Sequence, residues 1–324
     1  MSCSPSPFCG SPLAIAFQSV QNANGLNTTF LERLSMLNTK LGRRDFLRTT
    51  AAVAGAALLT TRTASAADDF GGFTVGIQSY TFRKFNLEQM LKKTQELGLK
   101  YAEFYNGHIA LDSNPEKIAT VKKLCAEYGI TPIAFGVEGF SKNHDANKKK
   151  FDFAAALGVK YLSADPSPDS FDSLDKLVEE HKIGIAIHPH GPTGRGKELH
   201  RWSSAEAILK AVKDHNPMIG TCLDTGHLIR TAQVAEPLDS AQQVKVMGAR
   251  NFGLHLKDHD NKRKTDVPYG DPTGVLDVAG VLKALKEVKF KGYISIEYEA
   301  NADNPSPDVK KCVSYFQDTV KKAG

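Results

Sequence analysis

Four runs in the second half of the chain carry imidazole or carboxylate at matching positions. They are Gly184-Ile185-Ala186-Ile187-His188-Pro189-His190, Cys222-Leu223-Asp224-Thr225-Gly226-His227, Gly253-Leu254-His255-Leu256-Lys257-Asp258 and Tyr293-Ile294-Ser295-Ile296-Glu297-Tyr298-Glu299. Read as strands, they expose every second side chain on one face. Those faces hold Ala186, His188 and His190; Cys222 and Asp224; Gly253, His255 and Lys257; and Ser295, Glu297 and Glu299. His188, Asp224, His255 and Glu297 then meet at one height. Mixed imidazole and carboxylate around a point is a ligand set for a divalent cation, with Mn²⁺, Zn²⁺ or Co²⁺ expected before Ca²⁺. Each residue alone has a plainer reading. A strand-end histidine is often a hydrogen-bonded core residue, and an aspartate there often caps the next helix. Four at one depth favour a metal centre.

Such convergence needs a scaffold of parallel strands. From Phe73 onward, short apolar runs alternate with segments of helical spacing. The strands expected are 74–80, 101–105, 131–137, 160–164, 184–188, 219–224, 252–257 and 293–297. The intervening helices are expected at 87–97, 115–128, 148–157, 171–181, 204–215, 240–249, 278–288 and 308–322. Strict alternation implies right-handed crossovers between parallel strands, and eight units in this length predict a single-domain α/β fold, the (β/α)₈ TIM barrel. A doubly wound sheet is disfavoured because Thr81-Phe82-Arg83-Lys84, not a glycine fingerprint, follows the first strand. In a barrel the chemistry lies at the C-terminal strand ends.

The N-terminal region reads differently. Arg43-Arg44, the apolar stretch 51–59 and Ala64-Ser65-Ala66 form a twin-arginine export signal over residues 36–66, with cleavage before Ala67. Residues 1–35 are expected to be disordered or a mis-annotated start, and 67–324 to form the barrel. Export would leave the protein periplasmic or extracellular, free of the membrane after cleavage. Residues 1–66 hold six basic and two acidic side chains, so the whole chain's formal +5 falls to +1 beyond them. That balance argues against nucleic acid as a partner. Cys125, Cys222 and Cys312 remain after cleavage and are expected as buried apolar fillers.

Asp224-Thr225-Gly226-His227, His255-Leu256-Lys257-Asp258 and Ser295-Ile296-Glu297 resemble the motifs of the sugar phosphate isomerase/epimerase family, the xylose isomerase-like TIM barrels. The resemblance spans about residues 73–322. In ketose 3-epimerases of that family, Glu, Asp, His and Glu hold the metal, and the two glutamates exchange the substrate proton. Asp224, His255 and Glu297 match three of these positions, and His188 stands where the first glutamate should be. The resemblance implies a sugar or polyol substrate and proton abstraction beside a carbonyl through a metal-stabilised enediolate. Glu297 or Glu103 would take the proton, and His190 or Lys257 would return one. Glu103, inward-facing with Tyr101 and Tyr105, could equally bind a sugar hydroxyl or orient a histidine, and Lys257 could pair with Asp258 at the rim. Return to the other face gives an epimer. Departure of a β-substituent gives a lyase or dehydratase on an inosose or 3-keto-sugar, which His188 favours. A non-catalytic sugar-binding barrel, an endonuclease IV-like nuclease and a homo-oligomer are further readings. The nuclease would need metal-ligating histidines on strand three, which offers only Phe135, Val137 and Glu138. Gly191–Lys197 has phosphate-loop spacing, but Glu198 replaces the hydroxyl residue and Pro192 removes an amide; a βα loop is expected, with Arg195 near substrate. The charged run 258–264 is expected as a solvated loop.

Overall fold

A computed structural model describes residues 70–112 and 114–323; the expected export signal and the residues before it lie outside these. Eight parallel strands close into a barrel: β1 (Thr74–Gln78), β2 (Tyr101–Phe104), β3 (Thr131–Phe140), β4 (Tyr161–Pro166), β5 (Gly184–Ile187), β6 (Ile219–Asp224), β7 (Asn251–Leu256) and β10 (Tyr293–Ile296). Between β7 and β10 a small antiparallel hairpin is inserted, β8 (Asp258–Asp260) and β9 (Thr265–Val267). The TIM barrel expected from alternation is the fold found.

Alternation within each strand separates two environments. Ile185 and Ile187, Leu254 and Leu256, and Ile294 and Ile296 face outward and are fully buried under the surrounding helices. Ala186, Cys222 and Tyr293 face inward and plug the barrel below the polar layer. Gly253 is required there, because a Cβ would lie 2.5 Å from the Tyr293 ring. Cys125, Cys222 and Cys312 are buried free thiols.

The helices start where side chains can satisfy the free amides of their first turns. α1 (Leu87–Glu96) carries a capping box of Asn86 and Gln89, and α2 (Pro115–Glu127) is capped by Asn114 with proline in its first turn. α3 (His144–Leu157) begins four residues before the expected Lys148, since Asn143 caps it, and ends at Gly158 with φ 88°. α4 is Phe171–His181 and α5 the shortened Ala205–Val212. A helix not anticipated, α6 (Thr225–Arg230), springs directly from β6 and carries His227, which the sequence placed on a loop. α7 (Ser240–Met247), α8 (Val278–Glu287) and α9 (Ser306–Ala323) complete the ring. Among the described residues no helix is long and apolar enough to cross a membrane.

The charged run 258–264 meets the expectation of a solvated loop only in its second half: Lys262, Arg263 and Lys264 are exposed on a turn, whereas Asp258–Asp260 form β8. Asp258, His259 and Asp260 are only 2%, 5% and 3% exposed. Their polarity is spent internally. Asp258 Oδ1 accepts the backbone N–H groups of His259, Val275 and Leu276. The His259 ring pairs with Asp266, and Asp260 accepts both backbone and guanidinium N–H from Arg263. A net count of charges cannot distinguish acids that bind water from acids that tie a hairpin together. Gly191–Lys197, by contrast, is a loop as expected, closed by Thr193 N donating to Glu198 O at 2.8 Å.

Candidate metal centre and active site

At the C-terminal mouth of the barrel, β5, β6, β7 and β10 deliver His188, Asp224, His255 and Glu297, with one donor atom of each lying within 4.8 Å of all the others. The His188 Nε2 atom is 3.1 Å from His255 Nδ1 and 3.3 Å from Asp224 Oδ2. The His255 Nδ1 atom is 3.7 Å from Asp224 Oδ2 and 3.1 Å from Glu297 Oε2. Donors spaced this way suit a common ion at about 2.0–2.2 Å from each. Asp224 Oδ2 and Glu297 Oε2 are sealed from solvent and make no well-aligned hydrogen bond; the Lys257 ammonium and two histidine nitrogens stand within ion-pair reach, and both oxygens stay open to a cation. The residues present therefore fit a divalent metal.

Local sequence explains the aim of each ligand. Asp224 ends β6 and caps α6: its Oδ1 accepts the His227 N–H at 2.7 Å, which leaves Oδ2 turned to the centre. The capping reading of this aspartate is thus met by Oδ1, and Oδ2 stays available to a metal. Thr225 exchanges hydrogen bonds with the Lys257 backbone at 2.7 and 2.8 Å and clamps α6 to the end of β7. Gly226 leaves room for the Lys257 stem, since a Cβ would sit 2.6 Å from Lys257 Cδ and 2.7 Å from Cγ. Gly226→Ala is therefore expected to lower kcat/KM by about 100-fold while the barrel stays folded, because misplacing a site group by about 1 Å can cost that much; circular dichroism and steady-state rates check this.

Glu103, on β2, has no solvent exposure and spends its carboxylate on support. The His255 Nε2–H donates to it at 2.7 Å and the Ser295 hydroxyl at 2.8 Å, with Ser163 donating to the other oxygen. A metal-ligating histidine commonly gives its second N–H to a carboxylate, which fixes the ring and the tautomer. Of the readings open in the sequence, the geometry favours Glu103 as the residue that orients His255.

Lys257 points inward. Its ammonium lies 3.2 Å from Asp224 Oδ2, 2.9 Å from Glu297 Oε2 and 2.5 Å from Glu299 Oε1. Burial would discharge it, but the carboxylates of Asp224, Glu297 and Glu299 outweigh burial and keep it cationic. The same balance acts on Glu297: burial pushes its carboxyl up, while Lys257 and His255 overcome that and hold it at about 2. His190 lies on the cavity wall, its ring 4.8 Å from that of His188 and 5.3 Å from that of His227. Burial and the neighbouring His188 and His200 push it down to about 3, so it is neutral at neutral pH.

Above the centre lies a cavity of about 250 Å³. Besides His188, His190 and Glu297, its lining includes residues outside the set chosen from sequence: His227, Glu299, Gln78, Tyr80 and Tyr105. His227 accepts the Gly191 N–H on Nδ1 at 2.9 Å, so its proton resides on Nε2. The signal for His227 was its place three residues after Asp224, in the first turn of a helix that the apolar pattern did not reveal. Tyr80 and Tyr105 meet edge to face at 5.3 Å on the opposite wall. Arg195 is exposed and does not line this cavity.

Comparison with known proteins places this architecture. Inosose isomerase of Bacillus velezensis is 24% identical over 262 residues, covering 68% of this chain and 86% of that protein. The structure of an uncharacterized protein from Parabacteroides distasonis superposes with a TM-score of 0.58 at 28% identity, over 78% of this chain and 99% of that one. An L-ribulose 3-epimerase structure shares the fold, with a TM-score of 0.61 at 17% identity over 78% of this chain and 95% of its own. A profile for xylose isomerase-like TIM barrels matches residues 91–318, and the chain belongs to that family.

Proposed function

We propose that the protein is a divalent-metal-dependent sugar isomerase or epimerase. The observation that carries this reading is the meeting of His188, Asp224, His255 and Glu297 beneath a cavity lined by imidazole, carboxylate and tyrosine. Relatives named as an inosose isomerase and an L-ribulose 3-epimerase support a keto-sugar or polyol substrate. A cation held by the four residues would supply Lewis-acid charge beside a substrate carbonyl and so make the neighbouring C–H more acidic, the basis of the proposed enediolate chemistry. Mn²⁺, Zn²⁺ and Co²⁺ suit the donors equally.

The chain's own groups handle the proton. Glu297, held near 2, is a weak base, so it can accept a proton only from a carbon already acidified. His190 follows β5 and Glu297 follows β10, with β6 and β7 between those strands in the barrel, so the two residues flank the cavity from different sides. Transfer from carbon to Glu297 on one side, with a solvent proton relayed through the neutral His190 imidazole on the other (taken up at one nitrogen as the other releases its own), inverts the carbon. His227 Nε2–H donates to a substrate oxygen, and the tyrosine wall stacks against the sugar face. The elimination reading, on an inosose or a 3-keto-sugar, draws on Lys257, whose ammonium beside Glu297 can protonate a departing hydroxyl. Twin-arginine export, with metal acquired before translocation, is part of the proposal.

Purified mature protein is expected to hold about one divalent ion per chain by elemental analysis. In D₂O it should place solvent deuterium on the carbon beside the carbonyl of a keto-sugar, read by NMR. Turnover without deuterium would point to hydride transfer and overturn the proton mechanism; an unsaturated product would favour elimination.

A further inference from the structure

A second polar recess, about 260 Å³, adjoins the cavity. Glu299 lines both, and Arg230, on the recess side, hydrogen-bonds His227 on the cavity side at 3.4 Å. The remaining wall is built by the hairpin and the turn after α6, chiefly Gln233, His259, Lys264 and Asp266.

The chemistry of this wall is unbalanced. Asp266 spends Oδ1 on the His259 ring and Oδ2 on the Glu299 backbone N–H, both at 2.9 Å. Glu299 gives one carboxylate oxygen to Lys257. Among the described residues, neither Arg230 nor Lys264 has an ion-pair partner. His259 is spent on Asp266, and its other ring nitrogen is sealed from solvent, so it offers a ligand nothing. With the carboxylates of Asp266 and Glu299 largely committed to these partners, Arg230 and Lys264 are two cations of this wall left without one. What is left for a ligand is a set of N–H donors and positive charge, the surroundings that recognise a carboxylate or phosphate.

We propose that this recess binds the anionic end of the substrate, so that the protein acts on an acidic keto-sugar whose carbonyl end occupies the cavity and whose carboxylate or phosphate reaches past Glu299 to Arg230 and Lys264. The proposal rests on the isomerase reading for what fills the cavity, and on the recess alone for the charge. It also accounts for the hairpin: tying β8 to β9 through buried acids holds Lys264 on the wall that Arg230 also lines.

The test uses a matched series that differs only at C6, namely D-fructose, D-fructuronate and D-fructose 6-phosphate. Their affinities for the metal-loaded protein are measured by calorimetry at low ionic strength. One of the two anions is expected to bind at least about tenfold more tightly than D-fructose, and the better one identifies the group as carboxylate or phosphate. Arg230→Ala would also remove a hydrogen bond to His227, so Lys264→Glu, on an exposed turn, carries the assignment. It should bring the ratio of anion to D-fructose affinity below about twofold. Equal affinities in the wild type overturn the proposal. An anion advantage that survives Lys264→Glu also overturns it, because the charge would then be read elsewhere. Failure of deuterium exchange with tight, Lys264-dependent anion binding would sink the isomerase reading and leave the recess standing.

Discussion

Glu297→Gln is expected to reduce kcat/KM by at least about 10³-fold, with bound metal falling well below one ion per chain and the thermal transition scarcely changed from that of the metal-free wild type. Three properties of this one side chain combine. Its Oε2 is a buried oxygen 3.1 Å from His255 Nδ1 and 2.9 Å from the Lys257 ammonium, with no well-aligned hydrogen bond, so it is placed to be a ligand. It lines the cavity, so it can reach a substrate carbon. Its charge, with that of Asp224, balances Lys257 and the electrophilic centre. Glutamine keeps the shape but loses the charge and the basicity, and losing an acid–base group alone typically costs about 10²–10⁴-fold. Fold stability should survive because the barrel core beneath is apolar and separately packed. Elemental analysis, steady-state rates and calorimetry on one preparation separate the effects. A variant with full metal and full activity would show that Glu297 is neither base nor ligand.

The barrel was legible because alternation is coded locally. Ile185, Ile187, Leu254, Leu256, Ile294 and Ile296 declare an apolar outer face, and the residues between them must then point inward. Closure of the barrel turns that parity into proximity: Asp224 pairs with His255, and His255 with Ser295, in adjoining strands at one level. Whatever depended on longer-range geometry was hidden. Ser163 is far from Glu103 and His255 in sequence, so the network that fixes Glu103 appears only once β2, β4, β7 and β10 surround it. α6 was hidden for a different reason. Six residues are too few to display a helical period, and its threonine and glycine serve β7 and Lys257 instead of helix propensity. The hairpin was misread because its acids are consumed by backbone amides, a fate that composition does not record.

Lys257→Met should make the protein's stability depend on metal far more steeply than in the wild type. The ammonium touches Asp224 Oδ2 and Glu297 Oε2, the two oxygens that would hold the cation, and it is 2% exposed. In the metal-free protein it is the principal positive charge neutralising Asp224, Glu297 and Glu299. Removing one member of a buried ion pair leaves uncompensated charge and costs about 3–5 kcal/mol. Methionine fills the stem's volume with little packing loss, so the metal-free variant should melt well below the wild type. A divalent ion restores positive charge to the same oxygens, and ligand binding to the native state stabilises by mass action. Adding saturating Mn²⁺ should therefore raise the melting temperature of Lys257→Met by several degrees more than that of the wild type. Turnover should remain at least about 100-fold down even when metal is saturating, since the proton donor beside Glu297 is gone. Equal shifts of both proteins on metal addition would mean that Lys257 and the cation do not share those oxygens. Full recovery of activity with metal would assign Lys257 to charge balance alone and leave His190 as the group that returns the proton.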